Sequence, residues 1–152
     1  MVGYQESLSD PSYCGQILVL TFPLIGNYGV FSEDKKDANG LPLYSESSKI
    51  HASALVVGSY TEEFSHWQAE KSLSTWLKEQ NIPAIFGIDT RALTKKIRTK
   101  GVMLAKLIVH KDPNSSKLQW YNPNITNLVA QGNSISIYLL ILNSIQFLIK
   151  IK

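Results

Sequence analysis

One cysteine stands among 152 residues, so no disulfide can close within the chain, and a reducing, cytoplasmic setting is the default expectation. That residue, Cys14, lies between a proline turn and an apolar run and reads as a small, semi-buried thiol. The three histidines, His51, His66 and His110, show no pair at metal-ligand spacing, so neither a zinc site nor any other metal site is expected. Each reads as structural or solvated rather than catalytic. There is no glycine-rich loop to cradle a phosphate, which excludes nucleotide chemistry from this stretch. The opening residues hold no basic region followed by an apolar segment of the secretory kind. A net charge of +3 is too small to argue for nucleic acid or for an anionic membrane surface. What remains is 44% apolar and 18% charged, an ordinary globular balance over one domain's length.

What the chain does have is concentrated at its start. Gly3 to Tyr13 reads as a polar turn, Asp10-Pro11-Ser12 at its heart, running into the apolar strand pattern of residues 16–21. Pro11 fixes φ, while Asp10 and Ser12 can bond nearby backbone amides and still offer side-chain oxygens. Loops of this kind on a rigid strand are common places for binding groups.

Further along, Pro23 and Gly26-Asn27 punctuate the first strand, and residues 30–49 read as loop with room for one helical turn. Residues 50–57 alternate as a largely buried strand that Gly58 ends. Ser65-x-x-Gln68 matches a capping box, so a helix is expected from Ser65 to about Asn81, with Leu73, Trp76 and Leu77 on its apolar face. Residues 82–88 read as a strand. Asp89 or Thr90 caps a second helix, in which Leu93 and Ile97 face the core and Gly101 makes the stop. Residues 102–109 form the last strand of the pattern. The β-α-β-α-β order over residues 50–109 predicts a mixed α/β fold, a sheet covered by helices.

The stretch Gly3-Tyr4-Gln5-Glu6-Ser7-Leu8-Ser9-Asp10-Pro11-Ser12-Tyr13 resembles a motif of the small subunit of glutamine-dependent carbamoyl-phosphate synthase. The likeness continues through Pro23-Leu24-Ile25-Gly26-Asn27-Tyr28-Gly29 and Gly87-Ile88-Asp89-Thr90-Arg91-Ala92-Leu93-Thr94, and fades near Ala130. The wording is most similar to the fused eukaryotic pyrimidine-pathway form, where synthase, aspartate transcarbamoylase and dihydroorotase share one polypeptide. The resemblance implies that residues 1–131 are the small chain's N-terminal domain, a three-layer β/β/α swivelling domain, incomplete here because the family carries a leading β segment. It implies a role in making carbamoyl phosphate, a ligase reaction, for pyrimidine or arginine biosynthesis. It also implies that Ser12 holds the glutamine substrate, with the glutaminase domain and the large synthetase chain as partners. ATP and magnesium would be used by the synthetase portion and no cofactor by this domain. The family's glutaminase needs a cysteine in a Gly-x-Cys-x-Gly turn with histidine and a carboxylate. Cys14 has no such setting, so no catalytic residue is expected and the chain alone should be inactive.

Two features stand outside that account. Arg91, Lys95, Lys96, Arg98, Lys100 and Lys106 form a basic cluster without aromatic interleaving, which reads as a solvated or partner-facing helix side rather than a nucleic-acid surface. Asp89, Thr90, Arg91, Thr94 and Arg98 read as a helix cap with polar contacts. Residues 132–152 fall outside the resemblance, and residues 135–149 carry no charge. Three readings of this tail stay open: a membrane-spanning helix interrupted by Asn143, Ser144 and Gln146, a buried element, or translated non-coding sequence of AT-rich codons. The rival functional readings are a free-standing interaction module that docks on the synthetase chain, and a small membrane-anchored protein.

Overall fold

The computed structural model describes residues 3–109, 122, 125, 127 and 147–151. Its elements run α1 (Tyr4–Ser9), a 3₁₀ turn (Pro11–Tyr13), β1 (Ile17–Ile25), β2 (Val30–Phe31), β3 (Ala54–Tyr60), β4 (Ala69–Lys71), α2 (Leu73–Glu79), β5 (Ala84–Ile85), α3 (Thr90–Lys100), β6 (Ala105–Val109) and β7 (Phe147–Ile151). The mixed α/β class expected from the sequence is what the chain adopts.

A parallel sheet in the order β1-β3-β5 organises it. β3 is central because Ala54, Leu55, Val56 and Val57 are all buried, the continuous apolar run of a strand covered on both faces. β1 pairs with it from Ile17↔Ala54 to Leu20↔Val57, then again at Leu24↔Ser59 and Ile25↔Tyr60. Four steps along β1 thus match two along β3, and the bulge contains Pro23, which has no N–H to give to a ladder. The strand therefore passes through Pro23 rather than ending there.

α2 carries the chain from β3 back to β5 and buries Leu73, Trp76 and Leu77, spaced i, i+3 and i+4. Leu8 of α1 is 0% exposed and joins this core with Tyr4, Leu18, Ile25 and Ile50. Full burial of a leucine side chain stabilises by about 2 kcal/mol.

The first helix of the expectation starts later than the capping-box pattern predicts. Ser65 N–H bonds Asn27 O at 3.1 Å, and Ala69–Lys71 pairs antiparallel with Val30–Phe31, so the chain is extended where helix was expected. The cap is Ser72, whose Oγ accepts from Thr75 N–H at 3.2 Å. β3 likewise begins at Ala54 and continues through Gly58, while β5 is limited to two residues. α3 follows the expectation at both ends: Asp89 Oδ1 accepts from Ala92 N–H at 2.9 Å, and Gly101 stops the helix at φ +78°. Its face does not. Leu93 is half-buried and Ile97 is 36% exposed, and Val102, expected in a strand, is 100% exposed.

β6 pairs antiparallel with β7, from Ala105↔Ile151 to Val109↔Phe147. Within residues 132–152 only this strand is described, so the three readings of that tail fall mostly on residues outside the described ones, as do His110 and the loop after it. Among the described residues no helix is long and apolar enough to cross a membrane.

Candidate functional site

The opening segment is a short helix, not only a turn. Tyr4 and Leu8, one turn apart, both face the core. The Tyr4 hydroxyl donates to Gly29 O, and burial pushes its pKa up. Beside this apolar pair runs a polar one. Gln5 Oε1 accepts from Phe31 N–H at 2.8 Å, while its Nε2 donates to Phe31 O at 3.1 Å and Ser45 Oγ at 2.9 Å. The carboxamide thus pairs with Phe31 as a neighbouring strand would. Ser9 Oγ donates to Gln5 O at 2.9 Å and accepts from Glu46 N–H at 2.9 Å. Buried polar groups remain affordable only when satisfied in this way.

α1 delivers the chain to Asp10, and the 3₁₀ turn follows. Asp10 Oδ1 accepts from Ser12 N–H at 2.8 Å, Cys14 N–H bonds Pro11 O at 3.0 Å, and Gln16 Nε2 donates to Ser12 O at 3.0 Å. The turn is tied to residues 46–53 on both flanks. Ser47 Oγ donates to Ser9 O at 2.6 Å and His51 N–H to Leu8 O at 2.9 Å on one side. The Cys14↔Ala52 bridge and the Ser53 N–H to Gln16 O bond at 2.8 Å close the other. Pro11 and Ser12 are exposed at the apex. An exposed hydroxyl on a turn held this firmly loses little entropy on meeting a ligand.

The turn also shapes the local electrostatics. The Ser12 amide and the Ser12 hydroxyl, both donating to Asp10, hold its carboxyl below the usual carboxylate range. Ser12 Oγ, exposed at the apex, carries lone pairs that can accept from a ligand N–H. Desolvation and Lys49 lower the His51 pKa, opposed by Asp10.

The signs of these two shifts agree. A depressed carboxylate stabilises the fold above its unfolded pKa and loses that contribution as pH falls through its folded value. A depressed imidazole costs nothing while neutral, and stability falls once the unfolded chain takes up protons near pH 6.5. Thermal melts from pH 8 to 3 should show a first decline beginning near pH 6.5 that His51→Gln removes, and a steeper one below about pH 4 that Asp10→Asn reduces. A profile unchanged by either substitution would contradict the assignment.

Among the expected site residues, Ser12 alone lies at the apex of the turn. Cys14 is half-exposed in its bridge to Ala52. His66 lies in an aromatic cluster, its ring 4.8 Å from Phe31 and 6.0 Å from Trp67, with Nδ1 accepting from Gln68 N–H. Arg91, Lys95, Lys96, Arg98 and Lys100 are exposed along α3. A cleft of about 320 Å³ lies between β2, β4 and α2, lined by Glu33, Asp34, Glu70, Lys71 and Glu79 among others, and Ser12 is not part of it. Among the described residues no group of three or more histidine, cysteine or acidic side chains converges as a metal site. Sequence reading missed Gln5, Ser9, Ser45 and Ser47. The available signal was the i, i+4 placement of Gln5 and Ser9 beside Tyr4 and Leu8.

Fold and site together describe a small α/β domain that presents a tethered hydroxyl turn at its surface. The model of the carbamoyl-phosphate synthase small chain, CPSase domain, matches residues 1–107. The chain belongs to that family. It is 57% identical over 132 residues to the multifunctional protein pyr1-3 of Dictyostelium discoideum, an alignment covering 86% of this chain and 6% of the relative. It is 51% identical over 151 residues to the multifunctional protein ura1 of Schizosaccharomyces pombe, covering 86% and 7%. To the carbamoyl phosphate synthase arginine-specific small chain of Eremothecium gossypii it is 47% identical over 131 residues, covering 86% and 32%. The chain therefore spans a small part of each of these relatives, and the expected likeness to multifunctional eukaryotic forms is borne out.

Proposed function

We propose that this chain serves as the N-terminal domain of the small, glutamine amidotransferase chain of a glutamine-hydrolysing carbamoyl-phosphate synthase. The observation that carries the reading is the Asp10–Tyr13 turn, exposed at its apex and bonded at both flanks, inside a domain of that family. Ser12 Oγ accepts from an N–H of the bound glutamine, and Asp10 fixes the backbone that carries it. The cysteine, histidine and carboxylate that hydrolyse glutamine come from a glutaminase domain, which is the first partner. The synthetase portion, with its ATP and magnesium, is the second. This domain binds no cofactor, contributes no catalytic group and releases no ammonia by itself. The setting is cytoplasmic, and the product feeds pyrimidine biosynthesis, with arginine biosynthesis the other destination.

The test is a chimera in which this chain's aligned residues replace the matching stretch of the Dictyostelium relative. It should make carbamoyl phosphate from glutamine, and Ser12→Ala should weaken its use of glutamine while leaving its use of free ammonia intact. Loss of both activities together would refute the reading.

A further inference from the structure

We infer that Ser47 is a positioning residue for glutamine, acting through Ser9 on the turn that presents Ser12. This rests on the glutamine reading of Ser12 given above. Ser47 lies outside the Gly3–Tyr13 segment and is half-buried. Its single hydroxyl proton is shared between Ser9 O at 2.6 Å and Lys49 O at 3.1 Å. Ser9 O is the last carbonyl of α1, and an unpartnered carbonyl at a helix end must find a donor or turn toward water. The peptide that carries it continues directly into Asp10, whose carboxylate accepts from the Ser12 amide at 2.8 Å. Any rotation of the Ser9–Asp10 peptide therefore shifts the Ser12 backbone, and with it the hydroxyl that backbone carries.

Two features keep Ser47 from being merely a staple of the fold. The flank after the turn is held independently, by the Cys14↔Ala52 bridge and the Gln16–Ser53 bond. Ser9 also keeps a second tether, because its Oγ accepts from Glu46 N–H. Removing the Ser47 hydroxyl consequently loosens one end of the turn without releasing α1, whose Leu8 and Tyr4 stay in the core. An aim that drifts in the free protein must be restored on binding, so the cost falls on glutamine affinity. The step that follows binding is spared.

The experiment uses the chimera described above. Ser47→Ala should raise KM for glutamine about threefold to tenfold, the cost of one net hydrogen bond. The kcat at saturating glutamine and the ammonia-dependent rate should stay within about twofold, the signature of lost ground-state binding. Ser47→Thr keeps the hydroxyl and should restore the KM. An unchanged KM in Ser47→Ala, with Ser12→Ala raising it, would overturn the positioning role while sparing the glutamine reading. So would a Thr variant as impaired as the Ala variant. If Ser12→Ala itself leaves the KM unchanged, the glutamine reading fails and the role of Ser47 falls with it.

Discussion

Gly26→Ala is expected to lower the stability of this chain by about 4 kcal/mol, from backbone strain and overpacking together. Gly26 closes β1 at φ +100°, a conformation that resists any side chain. A Cβ built there would sit 2.3 Å from the Thr61 carbonyl oxygen and 2.8 Å from a ring carbon of Tyr60. Neither neighbour can retreat cheaply. Thr61 N–H is bonded to Ile25 O at 3.0 Å and Gly29 N–H to Gly26 O at 2.9 Å, so a shift would open the turn and unpair the ends of β1 and β3. Gly40 supplies the comparison. Its φ is +80°, yet nothing lies within 4 Å of its would-be Cβ, so Gly40→Ala should cost only the intrinsic strain of about 1–2 kcal/mol. Urea unfolding of the two variants separates clash from strain. Equal losses would contradict the close packing of Gly26 against Thr61. For a domain whose whole stability is about 5–15 kcal/mol, the Gly26 variant should be largely unfolded at modest heating.

Gln5→Leu should cost about 3 kcal/mol, although it preserves side-chain volume. The substitution strands three groups at once: Phe31 N–H, Phe31 C=O and the Ser45 hydroxyl, all partners of the Gln5 carboxamide in a buried setting. Each stranded group costs about 1–3 kcal/mol, and relaxation toward water recovers part of the sum. Because Gln5 and the short β2–β4 pairing restrain Phe31's backbone, the effect should be local before it is global. Amide exchange at Phe31 should accelerate more than exchange at Val56 in the central strand. Uniform acceleration across both sites would show instead that Gln5 acts only through the global core.

How much of this was legible beforehand follows from the range of each interaction. α3 is defined locally: Asp89 caps it, Gly101 ends it, and both are adjacent to the segment they control. β3 was visible because its apolar run is continuous. The start of α2 was misplaced because Ser65-x-x-Gln68 and Ser72-x-x-Thr75 are both adequate local caps. The choice between them was made at a distance, by Asn27 O and by the pairing of β4 with β2. α1 was invisible for a related reason. Six residues with two apolar anchors carry little periodic signal, and its stability comes from Phe31 and Ser45, which are 26 and 40 positions from Gln5. The exposure of Ile97 was equally out of reach, since periodicity gives a face but not whether another element covers it. For the site, the Asp10-Pro11-Ser12 chemistry was readable as a turn. The tethers that make it rigid were not, because Ser47 and Ala52 belong to a stretch that reads only as loop and strand.

The most direct test of the central claim is the KM for glutamine of the Ser12→Ala chimera, measured beside its ammonia-dependent rate. A hydroxyl that accepts from bound glutamine predicts a KM raised about threefold or more, at an unchanged rate with ammonia. An unchanged KM for glutamine, in a protein that still uses ammonia normally, would contradict it.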